Sequence, residues 1–284
     1  MINIMSSKTN SSNTEFWDQQ RGVIRSRKGG WIIGQGVFSH GFSMMDDLVG
    51  KVSYMQVVIL NAIGRLPERR LASWVEAVYI CLSWPDPRIW CNHIGALGGT
   101  VRASAVASTV AGILAADSRT YGTFPLIEGA GFIQKALKKK QAGISVEQIV
   151  ETECAHHGGK PVIMGYARPL AKGDERIIAL ERVTSELNFP EGEHLKLAYD
   201  IGQIMIRKFD EGMNINGYVA AFLSDQGFTP EEMYLISQVI ESSGVTACFI
   251  NSRDRPAGSF LPLRCDDIDY QGQPPRSLPD ADKI

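Results

Sequence analysis

The chain has 284 residues, 44% of them hydrophobic, with 29 Lys and Arg against 31 Asp and Glu and a pI near 6.2. A chain of this length buries about 75% of its unfolded surface, in one large domain or a large and a small one. Its charges are mixed, without long single-sign runs, which argues against nucleic acid or a membrane surface as partner.

The first 14 residues lack the charged start and apolar centre of a signal peptide, and residues 1–27 are expected to be a polar N-terminal tail. In 28–44 (KGGWIIGQGVFSHGFSM), Gly punctuates short apolar runs, which predicts a small hairpin or extended segment. Helices follow. Leu71, Trp74, Val75, Val78 and Leu82 repeat at helical spacing, with Pro67 suited to the first turn. The Ala-, Ser-, Gly- and Val-rich run 101–116 predicts a helix that a neighbour can approach closely, the most buried of the chain. Ser145 with Gln148, and Thr229-Pro230 with Glu232, predict capping boxes. Further stripes are Ile177, Leu180, Val183 and Leu187, then Leu197, Ile201, Ile204 and Met205. The chain therefore reads as mostly α with a short N-terminal β hairpin. A large helical domain (28–124 and 226–284) is expected to carry a smaller inserted helical one (125–225). No apolar run reaches the roughly 20 residues that span a bilayer.

The five cysteines lie far apart with no Cys-x-x-Cys, which suits reduced thiols in a cytoplasm and predicts no zinc site. Lys138 to Lys140 read as a solvated helix end, and His156-His157 as favouring a helix C-terminal dipole. His93, in CNHIGALGGT, either projects from a Gly-rich break or is a structural histidine. In VIMGYARPLAKGDER, Arg168, Lys172 and Arg176 surround a helix start, with Gly165 and Gly173 allowing tight turns. Arginine suits bidentate carboxylate or phosphate binding. The plainer reading pairs Arg168 and Arg176 with Asp174, Glu175 or nearby acids at the surface. GMNINGY (212–218) is a second Gly-bounded polar loop, whose Asn214 and Asn216 are candidate turn formers.

Six pieces in order, FSHGFSMMDDL with GRLPER, NHIGALGGTVRAS, EGAGFIQKAL, GKPVIMGYARPLAKGDER, NINGYVAAFLSDQGFTPEEM and PLRCDDIDY, resemble segments of the citrate synthase superfamily. Its citryl-CoA lyase branch and the C-terminal citrate-synthase-like domain of ATP-citrate lyase are the nearest in kind. The resemblance covers about residues 30 to 274. It implies a two-domain helical fold and a homodimer, or a heterodimer with a homologue. An acyl-CoA and a small carboxylic acid would bind in the cleft, and a carbon-carbon bond would be made or broken through a thioester enolate. The coenzyme A thioester would be substrate, with no covalently bound cofactor.

By the same resemblance, His93 holds the keto or hydroxy group of the acid, Arg176 binds its carboxylate, and Arg264 reaches the cleft of the other subunit. Gly165, Tyr166 and Lys172 lie on the CoA side, and Arg168 near the substrate. The chain departs from the family where protons move. The family's Gly-His-Arg is Tyr166-Ala167-Arg168, so its histidine has become Ala167 or is deleted beside Tyr166. Its Asn-Val-Asp is Asn214-Ile215-Asn216, another family histidine aligns with Leu126, and a further substrate arginine aligns with Glu241. At ~4 Å and an effective dielectric near 20, exchanging Arg for Glu swings the energy of a bound carboxylate by ~8 kcal/mol. Citrate is therefore not expected beside Glu241.

Two functions follow. One is citryl-CoA-lyase-like carbon-carbon bond cleavage or formation on an acyl-CoA with an altered acid, using His93 with Tyr166, Asn216 or Glu241. Glu241 would serve as base if it is buried with its pKa raised. The other is a noncatalytic acyl-CoA-binding protein or partner subunit of an active homologue. A working site requires His93, Arg176 and Glu241 to line one pocket.

Overall fold

The computed structural model describes residues 14–167 and 173–278. They fall into two compact units, one ending at Glu76 and the other beginning at Ala77.

The first unit starts with a single helical turn, α1 (Glu15–Asp18), and a three-stranded antiparallel sheet of β1 (Gly29–Ile32), β2 (Gly36–Ser39) and β3 (Phe42–Ser43). The expected hairpin is present, and β3 adds a third strand by pairing Phe38 with Ser43. Gly29 is required in β1, because a Cβ there would lie 2.5 Å from the Phe38 carbonyl oxygen. After a π turn at Met44–Leu48 comes α2 (Tyr54–Ile63). A Ser53/Gln56 capping box starts this helix and left-handed Gly64 ends it. Pro67 lies ahead of α3 (Arg69–Cys81) rather than in its first turn. Its carbonyl instead accepts a 2.9 Å hydrogen bond from Gln56 Nε2. Helix α3 runs from one unit into the other.

The second unit continues with α4 (Trp90–Thr100), α5 (Ala105–Ala116), α6 (Phe124–Gln141), α7 (Val146–His156), α8 (Glu175–Glu186) and α9 (Glu193–Phe209). It ends with α10 (Ile215–Asp225), α11 (Pro230–Ser237), α12 (Ser242–Arg253) and a 3-10 turn at Cys265–Asp267. Both predicted capping boxes form, Ser145/Gln148 on α7 and Thr229/Glu232 on α11. The stripes fill the core: Leu197, Ile201, Ile204 and Met205 of α9 and Ile177 and Leu180 of α8 are buried.

The run 101–116 is not the most buried helix. In α5 only Ser108, Gly112 and Ala116 are enclosed, while Val106, Val110 and Leu114 are exposed at 75%, 47% and 70%. The small residues do permit a close approach, but on one face only: a Cβ on Gly112 would lie 2.9 Å from the Cys91 carbonyl oxygen of α4. Its branched residues at i, i+4 and i+8 face away from that contact. The most enclosed helix is α10, nine of whose eleven residues are buried, packed against α6 and α9. Helix α12 lies along α4 and α5, close enough that a Cβ on Gly95 would meet the Val245 carbonyl oxygen at 2.5 Å.

By length and hydropathy, Pro230–Arg253 is apolar enough to cross a membrane, although no such run stood out in the sequence. Half of its apolar window is buried inside the chain, with Met233, Ile236, Val245 and Phe249 in the core.

Candidate functional site

The Gly-Tyr loop is locked to the start of α10. Tyr166 pairs with Met213 in an isolated antiparallel bridge, Ala167 N-H donates to Gly212 O at 2.8 Å, and Asn214 N-H donates to Gly165 O at 2.9 Å. Asn214 is more than a turn former. Its Oδ1 accepts from the backbone N-H groups of Asn216 and Gly217, and its Nδ2 donates to Ala167 O at 2.7 Å. Gly165 sits at φ +96, and a Cβ on it would lie 2.7 Å from Gly217 Cα. Ala167 is held at φ +71, where a non-glycine residue costs roughly 1–2 kcal/mol.

The Tyr166 ring is buried and its hydroxyl donates to Ala198 O at 2.8 Å, with burial pushing its pKa well up. That hydroxyl fastens the loop to α9. Arg168 and Lys172 lie outside the described residues. Asn216 is half-buried in the first turn of α10.

Arg176 stands in the first turn of α8 in a bidentate pair with Asp174, Nε to Oδ1 at 2.7 Å and Nη2 to Oδ2 at 2.6 Å. Asp174 is the N-cap of α8, and its Oδ2 also accepts from Ile215 N-H at 2.9 Å, tying α8 to α10. The side chain of Asp174 is fully enclosed and that of Arg176 is 19% exposed. The plainer reading of the loop expected this partner, but at the surface, whereas the pair is largely buried. The Arg176 Nη1 edge has no partner among the described residues.

Glu241 occupies the N-cap position of α12 and is 6% exposed. Its Oε2 is buried with no hydrogen-bond partner. Burial pushes its pKa up to about 7; its own backbone N-H opposes the rise and the Asp117 carboxylate adds to it. The two conditions set for Glu241 as a base, burial and a raised pKa, are both met.

Two further groups feel its charge, which spacing along the chain does not reveal. Tyr121, in the turn before α6, places its hydroxyl 3.6 Å from Cys91 Sγ, and its ring lies against Trp90. Burial and Cys91 push the Tyr121 hydroxyl far up; Glu241 adds to this and Arg176 pulls it down. Tyr121 therefore lies within the electrostatic reach of both Arg176 and Glu241, which are 65 positions apart in sequence. Cys91 is likewise raised, chiefly by burial, with Glu241 contributing.

His93 is half-buried on α4, with Nδ1 3.1 Å from Pro87 O and its ring edge-on to Phe260. Two residues from Cys91 is about 200° around a helix, so His93 points away from the face that carries Cys91 to Tyr121. Among the described residues no hydrogen bond or ring contact joins His93 to Arg176 or Glu241. Arg264 lies in the exposed C-terminal segment, where its N-H is capped by Asp267 at 2.8 Å. Arg176 and Glu241 thus each act electrostatically on Tyr121, and among the described residues no hydrogen bond or ring contact joins them to His93 or Arg264. Among the described residues no cluster of His, Cys, Asp and Glu forms a metal site.

The fold is citrate-synthase-like. The chain is similar to the structure of citryl-CoA lyase from Hydrogenobacter thermophilus, with 25% identity and a TM-score of 0.76 over 92% of this chain and 100% of that one. It is also similar to ATP citrate lyase from Methanothrix soehngenii, solved in complex with citrate and coenzyme A. That match has 18% identity and a TM-score of 0.72 over 100% of this chain, which spans 47% of that one. For citrate synthase from Thermotoga maritima the values are 16% and 0.57, over 80% of this chain and 60% of that one. No family model and no curated protein matches the sequence.

Proposed function

We propose that the chain is a citrate-synthase-family protein that binds an acyl-CoA and a small carboxylic acid and makes or breaks a carbon-carbon bond between them. The observation that carries this reading is the match to the citryl-CoA lyase of H. thermophilus over that chain's whole length. A cation at Arg176 and a buried carboxyl at Glu241 support it, because an acid substrate needs a cation to hold it and a group that exchanges protons near neutrality.

In the cleavage direction, the Glu241 carboxylate removes the proton of the hydroxyl beta to the thioester. The carbon-carbon bond then breaks, its electron pair passing to the thioester alpha carbon as an enolate. The hydroxyl-bearing carbon leaves as a ketone. Glu241, now protonated, gives that same proton to the enolate alpha carbon, which yields the shortened acyl-CoA and restores the carboxylate. Synthesis is the reverse. Arg176 holds the acid's carboxylate through its Nη1 edge while Asp174 fixes the guanidinium plane. The Gly165 loop, clamped by Asn214, offers rigid backbone groups to CoA. In this reading Tyr166 positions the loop, and His93 enters from a second copy of the chain or on closure around substrate.

A second reading, a noncatalytic acyl-CoA-binding protein or partner subunit, is favoured by the closed Arg176–Asp174 pair and by Ala167 at the family histidine position. In either case we propose a dimer. Val106, Val110 and Leu114 of α5, with Trp90 and Leu97 of α4 and its C-cap Val101, are exposed apolar residues that a second copy or a homologue would cover. Incubation with citryl-CoA and other 3-hydroxyacyl thioesters, with the released acyl-CoA measured by mass spectrometry, tests the reading. Turnover lost in Glu241→Gln and Arg176→Ala supports the enzyme. Tight acyl-CoA binding with no turnover of any thioester supports the noncatalytic reading.

A further inference from the structure

The His93 ring is held between two segments that lie far apart in sequence. On one side, the loop before α4 sets the Pro87 carbonyl oxygen 3.1 Å from Nδ1. A carbonyl oxygen has no hydrogen to give, so Nδ1 carries the proton of this bond. The acceptor is fixed in place, because buried Asn92 donates from Nδ2 to Trp84 O at 3.0 Å and to Asp86 O at 3.1 Å, pinning the loop just ahead of Pro87.

On the other side comes the chain that follows α12. Chain ends fray unless they are tied down, and this one is tied over a short stretch. Gly258 N-H donates to Thr100 O at 3.1 Å, and Phe260 N-H donates to Thr100 Oγ1 at 3.2 Å. The Arg102 guanidinium donates to the carbonyls of Arg253 and Arg255. Directly after Phe260, Leu261 takes φ +47, which a residue with a Cβ disfavours, and Leu261 and Leu263 are exposed. Thr100 stands seven residues beyond His93 on α4, close to two turns, so the two share one face of the helix. A strap anchored at Thr100 therefore lays the Phe260 ring along that face, where it meets the His93 ring edge-on with 5.2 Å between centroids.

We propose that Phe260 is a positioning residue for His93: carried on the Thr100 strap, it holds the ring against Pro87, fixes the Nδ1-H tautomer and leaves Nε2 as the nitrogen that meets a ligand. Among the described residues Nε2 makes no hydrogen bond. In this tautomer the neutral ring accepts at Nε2, so the ligand group that it meets is a donor rather than a keto oxygen. Applied to the acid half of the substrate, that step rests on the acyl-CoA and acid reading above; the tautomer and the strap do not.

Magnetic resonance of the full-length protein labelled with 15N-histidine tests this with no ligand present. Long-range proton-nitrogen spectra at about pH 8.5 distinguish the tautomers of the five histidines, and the signals lost in His93→Gln assign His93. The expected result is a wild-type His93 almost wholly in the Nδ1-H form. Phe260→Ala is expected to move the tautomer ratio about five-fold toward Nε2-H, the worth of one neutral hydrogen bond, and to speed modification of His93 by diethylpyrocarbonate. Phe260→Tyr, which keeps the ring, is expected to restore the wild-type spectrum. Thr100→Val keeps the shape of the buried side chain, removes the Oγ1 acceptor and is expected to act as Phe260→Ala does. It serves as the test if the alanine variant does not fold. A wild-type His93 in the Nε2-H form, or a tautomer ratio that neither substitution moves, overturns this proposal and leaves the acyl-CoA reading standing. A locked Nδ1-H form in a protein that binds no coenzyme A supports the strap and overturns that reading instead.

Discussion

Replacing Glu241 by Gln separates the charge of the buried carboxyl from its shape. A folded pKa raised from 4.5 to about 7 means that the folded protein holds this proton more tightly than the unfolded chain does. The stability contributed by the neutral carboxyl is fully present below about pH 4.5 and is lost as pH rises through about 7, because charging a sealed group costs more than charging a solvated one. The full penalty for a shift of about 2.5 units is roughly 3.4 kcal/mol, of which about 0.8 is already incurred at pH 5. A difference of about 2.5 kcal/mol between wild type and Glu241→Gln should therefore open between pH 5 and pH 8. For a chain of this size 1 kcal/mol moves Tm by about 2 °C, so the variant should gain about 5 °C relative to wild type across that interval. Thermal denaturation of both proteins in matched buffers from pH 5 to pH 9 measures it. The groups acting on Glu241 are its own backbone N-H and Asp117, and neither is altered by the substitution. A Tm difference that stays flat across the range would mean that Glu241 does not titrate as a buried carboxyl, and its role as proton carrier would fall.

Asp174→Ala removes the N-cap of α8, the partner of Arg176 and the acceptor for Ile215 N-H together. With Arg176 partly reachable by water, the loss should be about 2–3 kcal/mol, read as a Tm lower by about 5 °C. Gly217→Ala forces a methyl group against the Gly165 carbonyl and to 2.9 Å from Met213 Cγ, and should cost about 1–3 kcal/mol. Gly131→Ala, in the interior of α6 with nothing within 4 Å of the new Cβ, should stabilise by about 0.5–1 kcal/mol. Denaturant titration of the two glycine variants side by side checks the opposite signs.

What the sequence discloses is local. The capping boxes at Ser145 and Thr229 are legible because donor and acceptor lie three residues apart, and the α9 stripe because burial repeats with the helical period. A further box at Ser53 follows the same rule, between the Gly-rich segment and the first long stripe. The burial of α5 was misjudged because small residues report how close a neighbour can come, not how many neighbours there are. The Arg176–Asp174 pair is one of the two readings that the loop allows, since the partners lie two residues apart, but its enclosure is not legible there. Tyr121 and Cys91 carry no such signal: their partnership spans 30 residues and forms only once the turn before α6 has packed on α4. The departures at Ala167, Asn216 and Glu241 mark where the usual proton carriers are missing. Only the fold shows that the replacement carboxyl is enclosed.

The most direct test is deuterium exchange into acetyl-CoA. The protein is incubated with acetyl-CoA in D2O, with and without a saturating 2-hydroxy acid, and deuterium on the acetyl methyl is counted by mass spectrometry. Enolate chemistry predicts incorporation that rises with pD through neutrality and disappears in Glu241→Gln. Acetyl-CoA that binds yet gains no deuterium under either condition would contradict it.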